Sequence, residues 1–301
     1  LGKLTEEQLE QLDLDTEEQR EARIQATREV YGKSVLFDYS YKFFYEDGYG
    51  KESLILNLNP ELDRQDERRY EYFTACLLSF YQQQYLFNKH KDKLADFNIE
   101  KPLWVFVGNT VGGEDSDIHA VLRFLAWFLN HEFQAKAWVH DLVSNKARIL
   151  DSKDRNIFEN RFTALMNGPE DIYADILAKL FNTTHSGQRL RVLNLIGSKG
   201  ELALQVGEAA PFGLINIGDS PSFYAMCEAD ETFDYQRDDF ARTLFHTLND
   251  KDSKLHILIG SRKFTEGWSS WRVSTMGLLN MGRGEGSQII QLFGRGVRLK
   301  G

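Results

Sequence analysis

The chain has 301 residues, 42% of them hydrophobic and 13% aromatic, enough to bury a sizeable core in one large domain or two. Its 36 basic and 45 acidic side chains leave a net charge of −9, which argues against a general electrostatic binder of nucleic acid but allows one local basic strip. Two cysteines, Cys76 and Cys227, stand in apolar surroundings without CxxC or Cys/His spacing, so neither a disulfide framework nor a zinc site is expected.

Buried thiols suit a reducing compartment, and a cytoplasmic location is the expectation. No run is long and apolar enough to cross a membrane, and "LGKLTEEQLEQLDLD" has neither the basic nor the apolar region of a secretory signal. The missing initiator methionine and the close on "RLKG" lead us to expect a piece of a longer chain.

In chain order, the first thirty residues predict a polar helix with Thr5 and Gln8 at capping-box spacing and a sparse apolar stripe, the pattern of a connecting arm. "SVLFDYSYKFFYEDGYG" predicts an extended, aromatic segment closing in a turn, and "ESLILNLNP" alternates as a strand up to Pro60. Residues 65–97 predict helix, with Tyr70, Phe73, Leu77, Phe80, Tyr81 and Phe87 at steps of three and four, a stripe suited to core or interface. Leu103 to Val107 reads as a buried strand that runs through "GNTVGG" into a helix starting near Asp115 to Asp117. Residues 134–188 predict mostly helix with polar breaks, a helical insertion.

"RLRVLNLIGSKGELALQVGE" predicts a hairpin around Ser198 to Gly200, and "FGLINIGDSPSFYAMCE" a strand, loop and helix. "DYQRDDFARTLFHTL" predicts a helix. "KLHILIGSRKFTEGW" and "VSTMGLLNMGRGEG" each predict a strand and a Gly-rich loop, followed by a last helix from about Ser287. Alternating strands and helices make an α/β domain with a largely parallel open sheet flanked by helices. In such folds functional groups gather at the carboxyl ends of strands, where "VGNTVGG", "SRKFTEGW" and "GRGEGSQIIQLFGRGVR" fall.

The last of these carries Gln291, Gly294, Arg295 and Arg298 in the order Q-x-x-G-R-x-x-R. At about 100° per residue, Gln291, Arg295 and Arg298 project to one side, leaving Ile289, Ile290 and Phe293 for the sheet. Gly294 would let another surface come close. Guanidinium groups stay charged and grip phosphate oxygens with forked hydrogen bonds, so two on one face suit the γ-phosphate of a nucleotide. The alternative is a helix end that favours cations through its dipole. No G-x-x-x-x-G-K-[ST] loop and no D-E-A-D/H-like run occurs to cradle phosphates or hold magnesium.

The quartet resembles motif VI of superfamily 2 helicases, "SRKFTEGWSSWRV" resembles motif V, and "LWVFVGNTVGG" is placed where motif IV belongs. Together they resemble the second RecA-like lobe of DEAD/DEAH-box proteins, closest to the helicase subunits of type III restriction enzymes. The resemblance is specific over residues 100–112 and 255–301 and looser over 34–60, the crossing between lobes. It implies a connecting arm over residues 1–50 and the lobe over 51–301. It implies arginine fingers at Arg295 and Arg298, a polar nucleotide-placing residue at Gln291, and motif V backbone contacts at Glu266 and Gly267. Ser269 stands where many relatives have Asp, which alters the coupling of motif V to the nucleotide.

ATP with Mg2+ would be the cofactor of the parent and would not be held tightly by this chain alone. Implied partners are a first RecA-like lobe carrying the phosphate cradle and DNA, with RNA and an accompanying methyltransferase or nuclease left open. Asn109 and Thr110 are candidates for the strand's phosphates, as are Arg262, Lys263, Arg272 and Arg283 as a local basic strip. Trp268 and Trp271 could stack on bases, although packing within the lobe is the commoner use. The seven histidines show no metal spacing, and "GDSPSF" lacks the glycines of a nucleophile elbow. A catalytically idle, acidic α/β interaction domain is the rival reading. It has no need of Arg295 and Arg298 together.

Overall fold

A computed structural model of the chain describes residues 17–31, 40–56, 66–108, 116–151, 153–260, 269–279, 292–294 and 296–300. They fall into two compact units, Leu1–Gly50 and Lys51–Gly301.

The first unit holds α1 (Glu17–Tyr31) and α2 (Tyr41–Glu46). The second helix replaces the extended segment that its aromatic residues predict. Ser40 enters it in an extended conformation, and Gly48, at φ +82°, closes it while Gly48 N–H donates to Tyr45 O and Tyr49 N–H to Phe44 O. Capping by a left-handed glycine outweighed the β-propensity of the aromatic side chains.

The larger unit is built on a seven-stranded sheet. Its strands are β1 (Leu103–Gly108), β2 (Leu190–Leu195), β3 (Glu201–Val206), β4 (Gly213–Asn216), β5 (Asp234–Asp238), β6 (Ile257–Gly260) and β7 (Val273–Leu279). Their order is β5-β2-β3-β4-β6-β1-β7. All pairs are parallel except β2–β3 and β3–β4, so β3 alone runs against the rest. The helices are α3 (Asp66–Lys89), α4 (Lys91–Ala95), α5 (Asp117–Asn130), α6 (Glu132–Val143), α7 (Ile172–Leu180) and α8 (Ser220–Ala229). This is the mostly parallel α/β architecture read from the sequence, and it is consistent with a RecA-like fold.

β1 explains the layering. It is buried along its whole length, as a central parallel strand should be. Trp104 and Phe106 face a large core with α3, α5, α6, α7 and α8, while Leu103, Val105 and Val107 face a smaller one that contains Leu248 and Leu292. Phe124 and Phe128 of α5 lie fully inside the first, each contributing about 2–3 kcal/mol by burial. Ser116 caps α5 by accepting from His119 N–H. The β2–β3 hairpin turns through Gly200, whose φ of +89° and close approach to Ile217 O leave no room for a side chain.

Three other expectations fail, each for a physical reason. Residues 51–56 form no strand, and Leu54 and Ile55 are both exposed, so the alternation of that segment is not used against a sheet face. Residues 144–171 are largely irregular between α6 and α7, with Asn145, Asp154 and Asn160 at positive φ, the turn chemistry of short polar side chains. Asp234–Asp238 is an edge strand because β2 offers it a parallel partner, and only Phe245–Thr247 is helical beyond it, as a 3-10 turn. In the last segment Leu292 and Val297 are the core residues while Phe293 is half-buried. Ile289 and Ile290 lie outside the described residues.

Candidate functional site

Parallel pairing brings the carboxyl ends of three strands into a row. Val107 is opposite Gly260, and Gly108 is opposite Leu279, so β6, β1 and β7 end side by side along one edge of the sheet. The segments predicted to hold motif IV, motif V and the start of motif VI continue from these ends. Asn109, Thr110, Arg262, Lys263, Glu266, Gly267, Gln291 and Arg295, with Trp268 and Arg283, lie outside the described residues.

Arg298 is not at that edge. Its Nη2 donates to Ser269 Oγ at 2.8 Å, and its guanidinium lies 5.2 Å from the ring centroid of Trp271. Ser269 and Trp271 lead into the first residue of β7, on the amino side. Lys300 Nζ meets Glu100, just before β1, at 2.8 Å, so the final segment has run back along the sheet. Seven residues of β7, six steps of about 3.3 Å, put roughly 20 Å between the two edges. The expectation of a single gathering is thereby corrected for Arg298: it and the carboxyl ends of β6, β1 and β7 lie on opposite sides.

Arg298 is unlike its basic neighbours. Among the described residues no carboxylate pairs with it, and its Nε is buried without a hydrogen-bond partner. A ring face and a hydroxyl orient the group without neutralising it. Gly294 is exposed, and among the described residues a Cβ there would meet nothing within 4 Å. The close glycine is Gly296, where a Cβ would come 3.0 Å from Met276 Sδ.

Arg272 cannot serve in a nucleic-acid strip. It is 2% exposed on the amino side and donates through Nε to Lys101 O at 2.9 Å, through Nη1 to Leu248 O, and through Nη2 to Leu255 O at 2.7 Å and Pro102 O at 3.5 Å. Every arm of the fork is spent on backbone carbonyls, those that precede β1 and β6 and that of Leu248 at the end of the 3-10 turn. Burial pulls its pKa down to about 10.

Around it lies a buried basic neighbourhood that sequence reasoning missed. Lys101 Nζ donates to Ser253 O at 2.9 Å, and burial followed by the Arg272 charge lowers its pKa to about 8. His256 contacts Gln84 Nε2 through Nδ1 and Asn182 Oδ1 through Nε2, both at 3.4 Å. Since the Gln84 amide nitrogen can only donate and the Asn182 oxygen only accept, the ring is neutral with its hydrogen on Nε2. Burial holds its pKa well below the ordinary value, and Lys101, Arg272 and Lys254 push the same way. Nothing in the sequence links residues 101, 256 and 272 before the strand order is known.

His119 has an acidic partner that its sequence context did not suggest. Its Nε2 lies 3.0 Å from Asp230 Oδ2, and Arg123 Nε lies 2.8 Å from the same oxygen. Burial and then Arg123 lower the His119 pKa against the pull of Asp230. Among the described residues there is no group of three or more potential metal ligands, and no helix long and apolar enough to cross a membrane. Compared with known proteins, the chain matches no family model, no curated protein and no solved structure.

Proposed function

We propose that the chain is the second motor lobe of an ATP-dependent DNA helicase or translocase and is inactive without a first lobe. The observation that carries the reading is Arg298, an arginine oriented by Trp271 and Ser269 with no carboxylate to neutralise it among the described residues. A solvated surface arginine has no need of such a mount, whereas a cation meant for an incoming phosphate does.

The described residues offer that phosphate a charge and no cradle. They therefore fit the finger's share of an ATP site only, and the lobe with the Walker-type loop is supplied from outside residues 1–301. ATP with its magnesium would bring the phosphoryl group to be transferred. Arg298, with Arg295 of the same motif, would stabilise the charge that grows on its oxygens. Lys51, the first residue of the larger unit, supports this arrangement: its N–H bonds to Val297 O and its Nζ to Val273 O at 2.8 Å. The start of the larger unit is thus fixed next to Arg298.

The opposite edge suits the nucleic acid. Three adjacent strand ends lead into segments with Asn109, Thr110, Arg262 and Lys263, without Arg272. A strand gripped there and a phosphate at Arg298 are about 20 Å apart, a separation that lets lobe closure at one site shift the other. Replacing both Arg262 and Lys263 by Glu should weaken single-stranded DNA binding and reduce its log–log salt slope by about 1 to 2. An unchanged slope would remove these residues from the interface.

A further inference from the structure

The turn beneath Arg298 is held from three directions. Ser270 Oγ donates to Asn249 Oδ1 at 2.6 Å, and Arg272 is locked among its carbonyls. Lys51 Nζ reaches Trp271 O at 3.4 Å as well as Val273 O. The indole is therefore presented by a fixed backbone. A free arginine side chain has large rotamer entropy, and a mount on such a platform removes part of it before any ligand arrives.

The contacts are also selective in what they consume. Trp271 takes the face of the guanidinium and Ser269 one Nη2 hydrogen, while Nη1 has no partner among the described residues. A carboxylate in the same place would compete with an arriving oxyanion through its charge. A ring and a hydroxyl compete weakly.

From this geometry we infer that Trp271 is a positioning residue that holds Arg298 ordered, its Nη1 donors open to an oxyanion. Ser269 is the second contact of the mount. That the oxyanion is a nucleotide phosphate rests on the proposed function, whereas the ordering of Arg298 does not.

The test uses the whole chain with 15N-labelled arginine. The Arg298 Nε–H signal, identified by its loss in Arg298→Lys, should show the relaxation of a restrained group. Trp271→Leu should lower its order to that of a freely rotating arginine, Trp271→Phe should retain most of it, and Ser269→Ala should cost part of it. Unchanged backbone amide spectra separate loss of the mount from loss of the fold. If Trp271→Leu fails to fold, the Ser269→Ala and Trp271→Phe pair decides. Arg298 staying fully ordered whenever these contacts are removed would overturn the inference.

Inorganic tripolyphosphate then probes the oxyanion. It should shift the Arg298 signal, with about tenfold weaker binding in Trp271→Leu, the order expected from returning an arginine's rotamer freedom. Equal affinity in the two proteins would overturn the positioning role. Failure of tripolyphosphate to shift wild-type Arg298 would instead count against the phosphate reading, leaving the ordering to be judged by relaxation.

Discussion

Arg272 and Arg298 show how the same side chain is put to opposite uses. Arg272 is enclosed and satisfies backbone carbonyls on the amino side of the sheet, while Arg298 lies beside Trp271 with no carboxylate partner among the described residues. Arg272→Met should destabilise the fold by about 3–5 kcal/mol in urea unfolding, because it orphans several buried acceptors at once. Arg298→Ala, which loses one exposed hydrogen bond and a ring contact, should cost no more than about 1 kcal/mol. Equal losses would mean that the two arginines do the same structural work. The histidine nearby adds a pH dependence. Because the folded pKa of His256 lies below its unfolded value, the unfolded chain binds the extra proton, and stability falls as pH drops below about 6.5. For Lys101, lowered to about 8, the same sign makes stability rise as pH climbs from about 8 towards 10.5. Urea midpoints across that range should follow both trends, and His256→Gln should flatten the acid one.

The elements themselves were legible where a segment carried its own reason for its shape. β1 is a continuous apolar run, α5 has a serine cap and a strong amphipathic pattern, and the β2–β3 hairpin has its glycine. They failed where a neighbour decided. "DYQRD" became a strand only because β2 had an unpaired edge, and "YKFFYE" became helical through its glycine cap. Arg298 was expected as a cation on a helix but stands in a β-bridge just past the helical residues Gly296 and Val297, and its mount was not legible, since residues 269, 271 and 298 meet only after β7 has carried the chain across the sheet. Arg272 misled for the same reason: a basic residue near a polar loop looks solvated until the strand beginnings close around it. Glycine packing offers a direct check on the elements. A Cβ at Gly277 would come 2.5 Å from the Phe106 ring, so Gly277→Ala should cost about 1–3 kcal/mol. At Gly294 the space is open, and Gly294→Ala should be neutral or stabilise the lone chain by up to about 1 kcal/mol. If the partner lobe approaches there, the same substitution should weaken assembly, which binding measurements against that lobe would reveal.

At the scale of the whole molecule, the sheet divides the work between its two sides. One edge ends β6, β1 and β7 in a row, and the other collects Arg298, the beginning of the larger unit at Lys51 and the enclosed Arg272. On the proposed function, a nucleotide event on one side can be reported to a strand held on the other only if a second body closes over Arg298. The central claim is therefore tested most directly by DNA-stimulated ATP turnover in a chain that carries both lobes, with and without Arg298→Ala. The substitution should lower turnover by about 10³-fold or more while ATP binding persists, and residues 1–301 alone should hydrolyse nothing. Turnover unchanged by Arg298→Ala, or hydrolysis by the lone chain, would contradict that claim.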